Sequence, residues 1–571
     1  MAEEPDGPIF ISFDIPPKIK ACINCSCKVL HLLIEELFII HPQKCDGERP
    51  KCGPCRRSIG FRDCEYVEEG PTPTQRLEEQ IAVLEARIQE LETEKQLQTV
   101  LSPHHPSADR QSSDFLQAPS WRGSSVHVSL AHSEPSSGRS SPSTMRSNRI
   151  PLVELEPLVQ NFLHHSSQFG FFLHVQKFRE AIMGQSKDAL LAAGLPDVVY
   201  LWAIHLSGSK ELIAHEATYL SHALRATADT LSGQHHNTVL HSIQSEVLIS
   251  LYFMRNMRFL EGKYHLSAAV SLVISCGLHR IRTMDSYAMG GPLGPAFHSL
   301  PPPRNAIEEC ERIGALWTVL TMNDCWTTAD GSPSNISYSV PDARIDTPWP
   351  LDIDAVDLQI QTLPDSSLGT VTTFLENLPD SGVSEAALHA KAAILFEQAS
   401  RLAAQYSPKI LVNKEQLNQF YLSFNSIDDL IEGFKLRIPT VQSRKMLVIH
   451  SLVHVATIQL HNPFIADNDA SRFRVLGSAR AIVTDLVQAP VNEFVYIDPI
   501  MGTLLMATCQ VFVTELGRLK RHRPFDSPVT GEERSLMAAV DNVLAVMNIF
   551  SPGCRLMNSQ LITMQQLYQG I

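Results

Sequence analysis

The sequence predicts a mainly α-helical chain in which a small cysteine-rich module, a short coiled coil and a disordered linker precede a large all-α domain. Three observations predict this layout. Seven of the 12 cysteines lie before residue 65. A narrow apolar repeat with heptad spacing follows over 77–91. From residue 151 onward, apolar residues recur every three or four positions in long segments, as they do on the buried face of a helix.

Changes in composition place the boundaries between these parts. Between 101 and 150 the chain carries fifteen serines with proline and glycine, and it lacks sustained apolar periodicity. Such a segment buries too little apolar surface to offset the entropy of ordering, so we expect a disordered linker. The resulting division is an acidic tail (1–21), a cysteine-rich module (22–70), a charged helix (74–98), the linker (99–150) and a helical domain (151–571).

The net charge and the length of the apolar runs limit which partners the chain is expected to have. The net charge is −14, so any attraction to nucleic acid requires a local basic patch. The uninterrupted apolar runs are too short to span a bilayer, and Met1–Asp14 is acidic without a signal-peptide pattern. We therefore expect an intracellular protein with no membrane partner. In that reducing compartment, clustered cysteines indicate metal binding more often than disulfides.

The spacing of the clustered cysteines suits zinc. Cys22 and Cys25 form one C-x2-C pair, and Cys52 and Cys55 form a second. Each pair brings two thiolates to one tetrahedral metal ion. With two single cysteines they give six thiolates, which hold two Zn²⁺ ions if two sulfurs bridge. The six candidate ligands are Cys22, Cys25, Cys45, Cys52, Cys55 and Cys64.

The stretch A-C-I-N-C … K-C-D-G-E-R-P-K-C-G-P-C … C resembles the fungal binuclear zinc cluster, the DNA-binding module of a family of fungal transcription factors. The resemblance implies that Cys22 and Cys52 bridge the two ions and that Pro50 turns the loop between the halves. It also implies that Lys44 reads base edges. From Lys44 to Arg62 there are six basic residues and two acidic ones, so this segment carries an excess of positive charge that suits contact with DNA phosphates. The candidate DNA contacts are Lys28, Lys44, Arg49, Lys51, Arg56 and Arg57.

One gap departs from the family pattern. Nineteen residues separate Cys25 from Cys45, whereas the family has six there, rich in Arg and Lys. The additional segment, near 29–41, is apolar, lacks Lys and Arg, and interrupts the DNA-reading helix. Either it is a gene-model artefact such as a retained intron, or it is a real insertion that alters or abolishes DNA binding. The same six ligands would also suit a zinc site that only stabilises a small domain.

The charged helix at 74–98 predicts a dimer. Isoleucines at a positions and leucines at d positions favour a parallel two-stranded coiled coil. An amphipathic helix docked on the chain's own core is the alternative. The predicted seam residues are Leu77, Ile81, Leu84, Ile88 and Leu91.

The helical domain also resembles the regulatory domain of the same fungal family, over strings at 258–281, 308–326 and 331–337. The periodicity predicts a helix ending at Gly277 and another that begins near Glu308 and Glu309. Trp317 and Trp326 are predicted core residues. Proline-rich breaks, among them 488–499, separate the helical blocks. The histidine pairs, including 164–165, are predicted on helix surfaces or in linkers, and the later cysteines are predicted as small buried residues.

Together these features predict a zinc-dependent, sequence-specific DNA-binding regulator of RNA polymerase II transcription. We expect a nuclear homodimer whose partners are double-stranded DNA and the transcription machinery, with two Zn²⁺ ions per chain. The sequence does not reveal a small-molecule effector. Sequence patterns of hydrolases, phosphate-binding loops and zinc proteases are not found, so an enzyme is not expected. The alternative is a dimerising interaction protein that has lost DNA binding through the insertion.

Overall fold

The computed structural model describes residues 150–570 except 186–190, 193, 233–236, 285–289, 292–293, 296–299, 337–343, 353–362, 365, 408–412 and 525–526. This region is a large, mainly helical domain. Its described helices are α1 (Leu152–His165), α2 (Val175–Ile182), α3 (Gly194–His205), α4 (Lys210–Ile213), α5 (Glu216–Thr230), α6 (Thr238–Arg255), α7 (Phe259–Ser275), α8 (Ala306–Asp330), α9 (Thr370–Leu375), α10 (Glu385–Gln405), α11 (Lys414–Arg437), α12 (Arg444–His461), α13 (Asp469–Gln488), α14 (Ile500–His522), α15 (Gly531–Phe550) and α16 (Arg555–Gln569).

Short elements join some of these helices. Single 3₁₀ turns occur at Ser166–Phe169, Leu278–Arg280, Asn462–Phe464 and Val491–Glu493. The strands of the described region are β1 (Gly290–Gly291) and β2 (Gly294–Pro295), which form one small antiparallel hairpin. The expectation of a large all-α domain is therefore confirmed for the described part of the chain, apart from this hairpin.

The first part of the domain packs α3 against α1, α5 and α6, with α7 lying along α6. Trp202 of α3 is its aromatic centre, with no exposed surface. The Trp202 ring lies 4.5 Å from that of Phe169 and 6.2 Å from that of Phe162, and its Nε1 donates to the Leu248 carbonyl at 3.0 Å. The buried indole thus keeps its polar atom satisfied while its ring fills the core.

Helix α12 runs through the middle of the domain. It packs against α10, α13 and α14, and buried residues occur on nearly all its faces, as expected of a helix surrounded by others. Helix α8 packs on α10, and Trp317 of α8 stacks on Trp349 with ring centroids 4.4 Å apart. These contacts place the first turns of α10 and α12 beside the middle of α8.

The C-terminal part is formed by α14, α15 and α16. A capping box begins α15: the Thr530 hydroxyl accepts from the Glu533 amide at 3.1 Å, and the Glu533 carboxylate accepts from the Thr530 amide at 2.7 Å. Among the described helices, α14 is long and apolar enough by length and composition to cross a bilayer. Because 61% of its most apolar stretch is buried in the domain, we interpret α14 as a core helix.

The boundaries predicted for two helices are confirmed. Helix α7 is followed by Gly277, whose φ of 72° is left-handed and easiest for glycine. Helix α8 begins after Asn305, whose side chain accepts from the Glu308 amide at 2.9 Å. The proline-containing segment 489–499 separates α13 from α14, also as predicted. Local signals of turn and cap chemistry were sufficient in these places.

One surface prediction is wrong. His165 was expected on a helix surface or in a linker, but its side chain is buried. Its Nδ1 lies 3.0 Å from an Arg444 nitrogen, and its ring packs on Tyr496. The predicted burial of later cysteines is confirmed for Cys310, Cys325, Cys509 and Cys554, whereas Cys276 is only partly buried. Trp317 and Trp326 are core residues, as predicted.

Candidate functional site

The zinc, DNA and dimerisation residues predicted from the sequence lie between 22 and 91, outside the described residues. The candidate site that the structure does describe is a cavity of about 410 Å³ in the helical domain. This volume lies within the range of small-molecule binding pockets. Its walls come from the 3₁₀ turn at Ser166–Phe169, the middle of α8, the segment 350–352 and the N-terminal ends of α10, α12 and α14.

One wall of the cavity is apolar and aromatic. It comes mainly from α8 and from the chain just before α2. Because Trp317 and Trp326 both line the cavity and are almost fully buried, they serve the core and the cavity together. Such a wall suits a flat or branched apolar body. Its side chains are Phe171, Phe172, Val175, Leu251, Trp317, Met322 and Trp326.

The opposite wall is polar because several helices begin there. The N-terminus of a helix presents unpaired amide groups and a partial positive charge. Asp352 accepts from the Ala386 amide in the first turn of α10 at 3.4 Å, and Asp498 accepts from the Ile500 amide at the start of α14 at 3.0 Å. Glu385 accepts a hydrogen bond from Ser443, the residue that caps α12. The three carboxylates in the cavity wall therefore already have hydrogen-bond donors.

Two cations of the cavity wall, Arg444 and Lys445, differ in whether they have hydrogen-bond partners. Arg444 is held by His165 and by the Tyr496 carbonyl, the latter at 3.3 Å. Lys445 also lines the cavity, but among the described residues its ammonium has no hydrogen-bond or ion-pair partner. Its charge acts on two other cavity residues, His389 and Asp498. Within the described part of the chain, Lys445 is therefore a cation of this wall without a partner.

Two half-buried residues of the cavity wall, His389 and Asp498, have shifted pKa values. Burial lowers the pKa of His389 to about 3, and the Lys445 charge acts in the same direction. The buried His389 Nε2 has no hydrogen-bond partner in the described part of the chain. Burial raises the pKa of Asp498 to about 6, against the opposing effects of the Ile500 amide and Lys445. At neutral pH, His389 is neutral and Asp498 is mostly ionised.

The two thiols of the cavity are poor nucleophiles. Burial raises the pKa of Cys310 to about 11, with the charge of Glu309 adding to the effect. Burial also raises the pKa of Cys325 well above its usual value. Since the thiolate is the reactive form, both cysteines stay protonated and inert at neutral pH. The cavity therefore offers apolar packing, hydrogen bonds and the ammonium of Lys445, which lacks a partner in the described ranges, a combination suited to binding a ligand.

Sequence reasoning did not identify this cavity. Its polar wall comes from residues far apart in the chain, such as Ser166, His389 and Lys445, with no common motif. Known proteins give no guide to it, since no family model, curated protein or solved structure matches the chain.

Proposed function

We propose that this protein is a zinc-dependent, sequence-specific DNA-binding regulator of RNA polymerase II transcription that acts in the nucleus as a homodimer. The spacing of the six cysteines from Cys22 to Cys64 carries the proposal. Six thiolates at this spacing suit two zinc ions, and the basic residues among them suit DNA phosphates. The seam from Leu77 to Leu91 would then pair two chains, so that each dimer reads two half-sites.

Zinc binding is compatible with the long gap between Cys25 and Cys45. Lengthening a flexible loop from six to nineteen residues costs roughly 1 kcal/mol. Zinc binding to a small structural site contributes on the order of 10 kcal/mol. Base reading depends more strongly on the gap, because Lys28 and Lys44 must lie close together. We therefore expect the segment 29–41 to impair DNA recognition more than metal binding.

Selection from a random duplex library tests the proposal with the full-length, zinc-loaded chain. We expect enrichment of a defined sequence and an affinity that falls steeply with salt, since bound phosphates release counterions. Cys52→Ser removes a proposed bridging ligand and should abolish this binding. Cys276→Ser, a cysteine of the helical domain, is the matched control and should bind like the wild type. Equal binding by the wild type and Cys52→Ser would refute zinc-dependent recognition.

Deletion of residues 29–41 distinguishes the two forms of the proposal. The deletion restores a six-residue gap between Cys25 and Cys45. If the segment interrupts the reading helix, the deleted chain binds DNA sequence-selectively and the full chain does so weakly. A full chain that binds zinc and dimerises without any DNA affinity would support the alternative function, an interaction protein that sequesters a DNA-binding partner.

We further propose that the helical domain regulates this activity by binding a small ligand in its cavity. The ligand class is an apolar or aromatic molecule with one anionic group. The aromatic wall that includes Trp317 and Trp326 supports the apolar body. The ammonium of Lys445 has no partner among the described residues and lies beside three helix N-termini whose carboxylates are already hydrogen-bonded, which supports the anionic group.

The aromatic sulfonate 1-anilinonaphthalene-8-sulfonate tests this cavity. We expect saturable binding by the full-length protein, detected by fluorescence. Lys445→Gln should weaken it about tenfold, the usual worth of a hydrogen bond to a charged group. Lys414→Gln changes an exposed lysine at the start of α11 and should leave the affinity unchanged. Equal affinities for Lys445→Gln and Lys414→Gln would show that the dye binds elsewhere.

A further inference from the structure

A second group of metal-ligating side chains lies between α12 and α13, apart from the cavity. His450 and His454 are four residues apart on α12, so they share one face of that helix. Asp485 faces them from α13, which packs along α12. One ring nitrogen of each histidine and one oxygen of Asp485 all lie within 4.8 Å of one another. Three ligand atoms from two packed helices thus converge on one point.

The hydrogen bonds of His450 orient it as a ligand. Its Nε2 lies 2.8 Å from the carbonyl oxygen of Pro439, and its Nδ1 lies 3.2 Å from an Asp485 oxygen. Histidines that bind metals usually donate their other ring N–H to a backbone carbonyl or a carboxylate, which fixes the tautomer. With the Nε2 proton donated to Pro439, Nδ1 is the ring nitrogen that faces Asp485, and a cation bound between them would replace the proton that this contact otherwise holds.

The second histidine carries an unsatisfied polar atom. His454 lies one turn along α12, and its buried Nδ1 has no hydrogen-bond partner among the residues that the structure describes. A buried polar atom without a partner costs stability unless something else occupies it. A metal ion held by the group would supply a partner on this side of α12.

The charges around the group allow a divalent cation. Lys435 of α11 is an ammonium whose charge acts on His454. It donates to Glu432 at 2.8 Å and to Thr457 at 2.6 Å, so its charge is paired and directed toward the next turn of α12. Asp485 remains as the anionic member of the group. Two imidazoles and one carboxylate form a donor set that zinc prefers, with a fourth position left open.

We propose that His450, His454 and Asp485 bind one Zn²⁺ ion that joins α12 to α13. This site differs from the cysteine cluster in ligands and in place, and it does not depend on DNA binding. The ion would be bound by the native chain and not by an unfolded one, because its ligands come from two helices. Zinc should therefore raise the unfolding temperature of the helical domain.

Native mass spectrometry of the full-length protein counts the ions. His454→Ala should bind one zinc fewer than the wild type, and the isosteric Asp485→Asn should bind that ion more weakly. His522→Ala replaces an exposed histidine at the end of α14 and should keep the full count. If His454→Ala and Asp485→Asn both retain as many zinc ions as the wild type, the site does not exist.

Thermal unfolding in a Cys52→Ser background separates this site from the cysteine cluster. There, added zinc should still raise the unfolding temperature, and the further change His454→Ala should remove the effect. Absence of any zinc effect in Cys52→Ser would overturn this site and leave the cysteine cluster standing. Conversely, an unchanged zinc count in Cys52→Ser alone would refute the cluster and leave this site standing.

Discussion

Replacement of Trp202 by alanine is expected to lower the free energy of unfolding by roughly 3–5 kcal/mol, the usual cost of removing a buried aromatic side chain. Trp202 has no exposed surface and contacts rings from two other segments, at Phe162 and Phe169. The change leaves a cavity that the surrounding helices fill only in part. Urea unfolding followed by circular dichroism measures the loss.

Leu260→Ala provides the control for this prediction. Leu260 is 84% exposed on α7, so its truncation should change the free energy of unfolding by less than about 0.5 kcal/mol. The description of α3 as the centre of the first part of the domain would be wrong if the two substitutions had equal effects.

Acidification from pH 7 to pH 5 is expected to destabilise the helical domain strongly. Burial lowers the pKa of His165 to about 4, that of His279 to about 4 and that of His389 to about 3. An unfolded histidine titrates near 6.5, so below that pH the unfolded chain binds more protons. The stabilising contribution is complete above pH 6.5 and is lost as the pH falls toward the folded values.

The size of the loss follows from the same shifts. Each of these histidines should cost about 2 kcal/mol between pH 7 and pH 5. Asp498 acts in the opposite direction, because burial raises its pKa to about 6 and its folded form gains a proton first. Protonation of folded Asp498 should stabilise the domain by about 1 kcal/mol over this range, so these four groups together lower the free energy of unfolding by roughly 5 kcal/mol.

Urea unfolding at pH 7, 6 and 5 measures this dependence. His389→Gln removes one titrating group, so the free energy of unfolding of this variant should fall less steeply as the pH falls. The difference in slope should correspond to about one bound proton. A free energy of unfolding that is constant or rises from pH 7 to pH 5 would contradict the burial of these histidines.

The sequence predicts helices well where the signal is local. Gly277 after α7 and the acidic first turn of α8 are features of three or four neighbouring residues. Their conformations follow from steric and capping rules that depend little on the rest of the chain. The same is true of the proline-containing break between α13 and α14.

Long-range packing was harder to predict. His165 was assigned to a surface, but Arg444, 279 residues later in the chain, lies beside it in the folded domain. Periodicity shows which face of a helix is apolar, and it does not show which distant helix covers that face. The cavity was missed for the same reason, since the first turns of α10, α12 and α14 form its polar wall.

The two candidate metal sites also differ in whether their ligands are close together in the sequence or are brought together by packing. The His-x3-His spacing of His450 and His454 was visible in the sequence, but Asp485 joins them only because α13 packs on α12. The cysteine cluster needs no such long-range information, because Cys22–Cys64 spans a short segment. Its zinc ions and its DNA contacts stay predictions, since these residues lie outside the described part of the chain.

Thiol alkylation with residue-by-residue mass spectrometry tests the zinc cluster most directly. In the zinc-loaded full-length chain, we expect slow alkylation of six cysteines and rapid alkylation of all six once a chelator removes the metal. These six are Cys22, Cys25, Cys45, Cys52, Cys55 and Cys64. Cys27, which is not a proposed ligand, should react quickly in both states. Equal alkylation rates of the six cysteines before and after chelation would contradict zinc binding by the cluster, on which the proposed function depends.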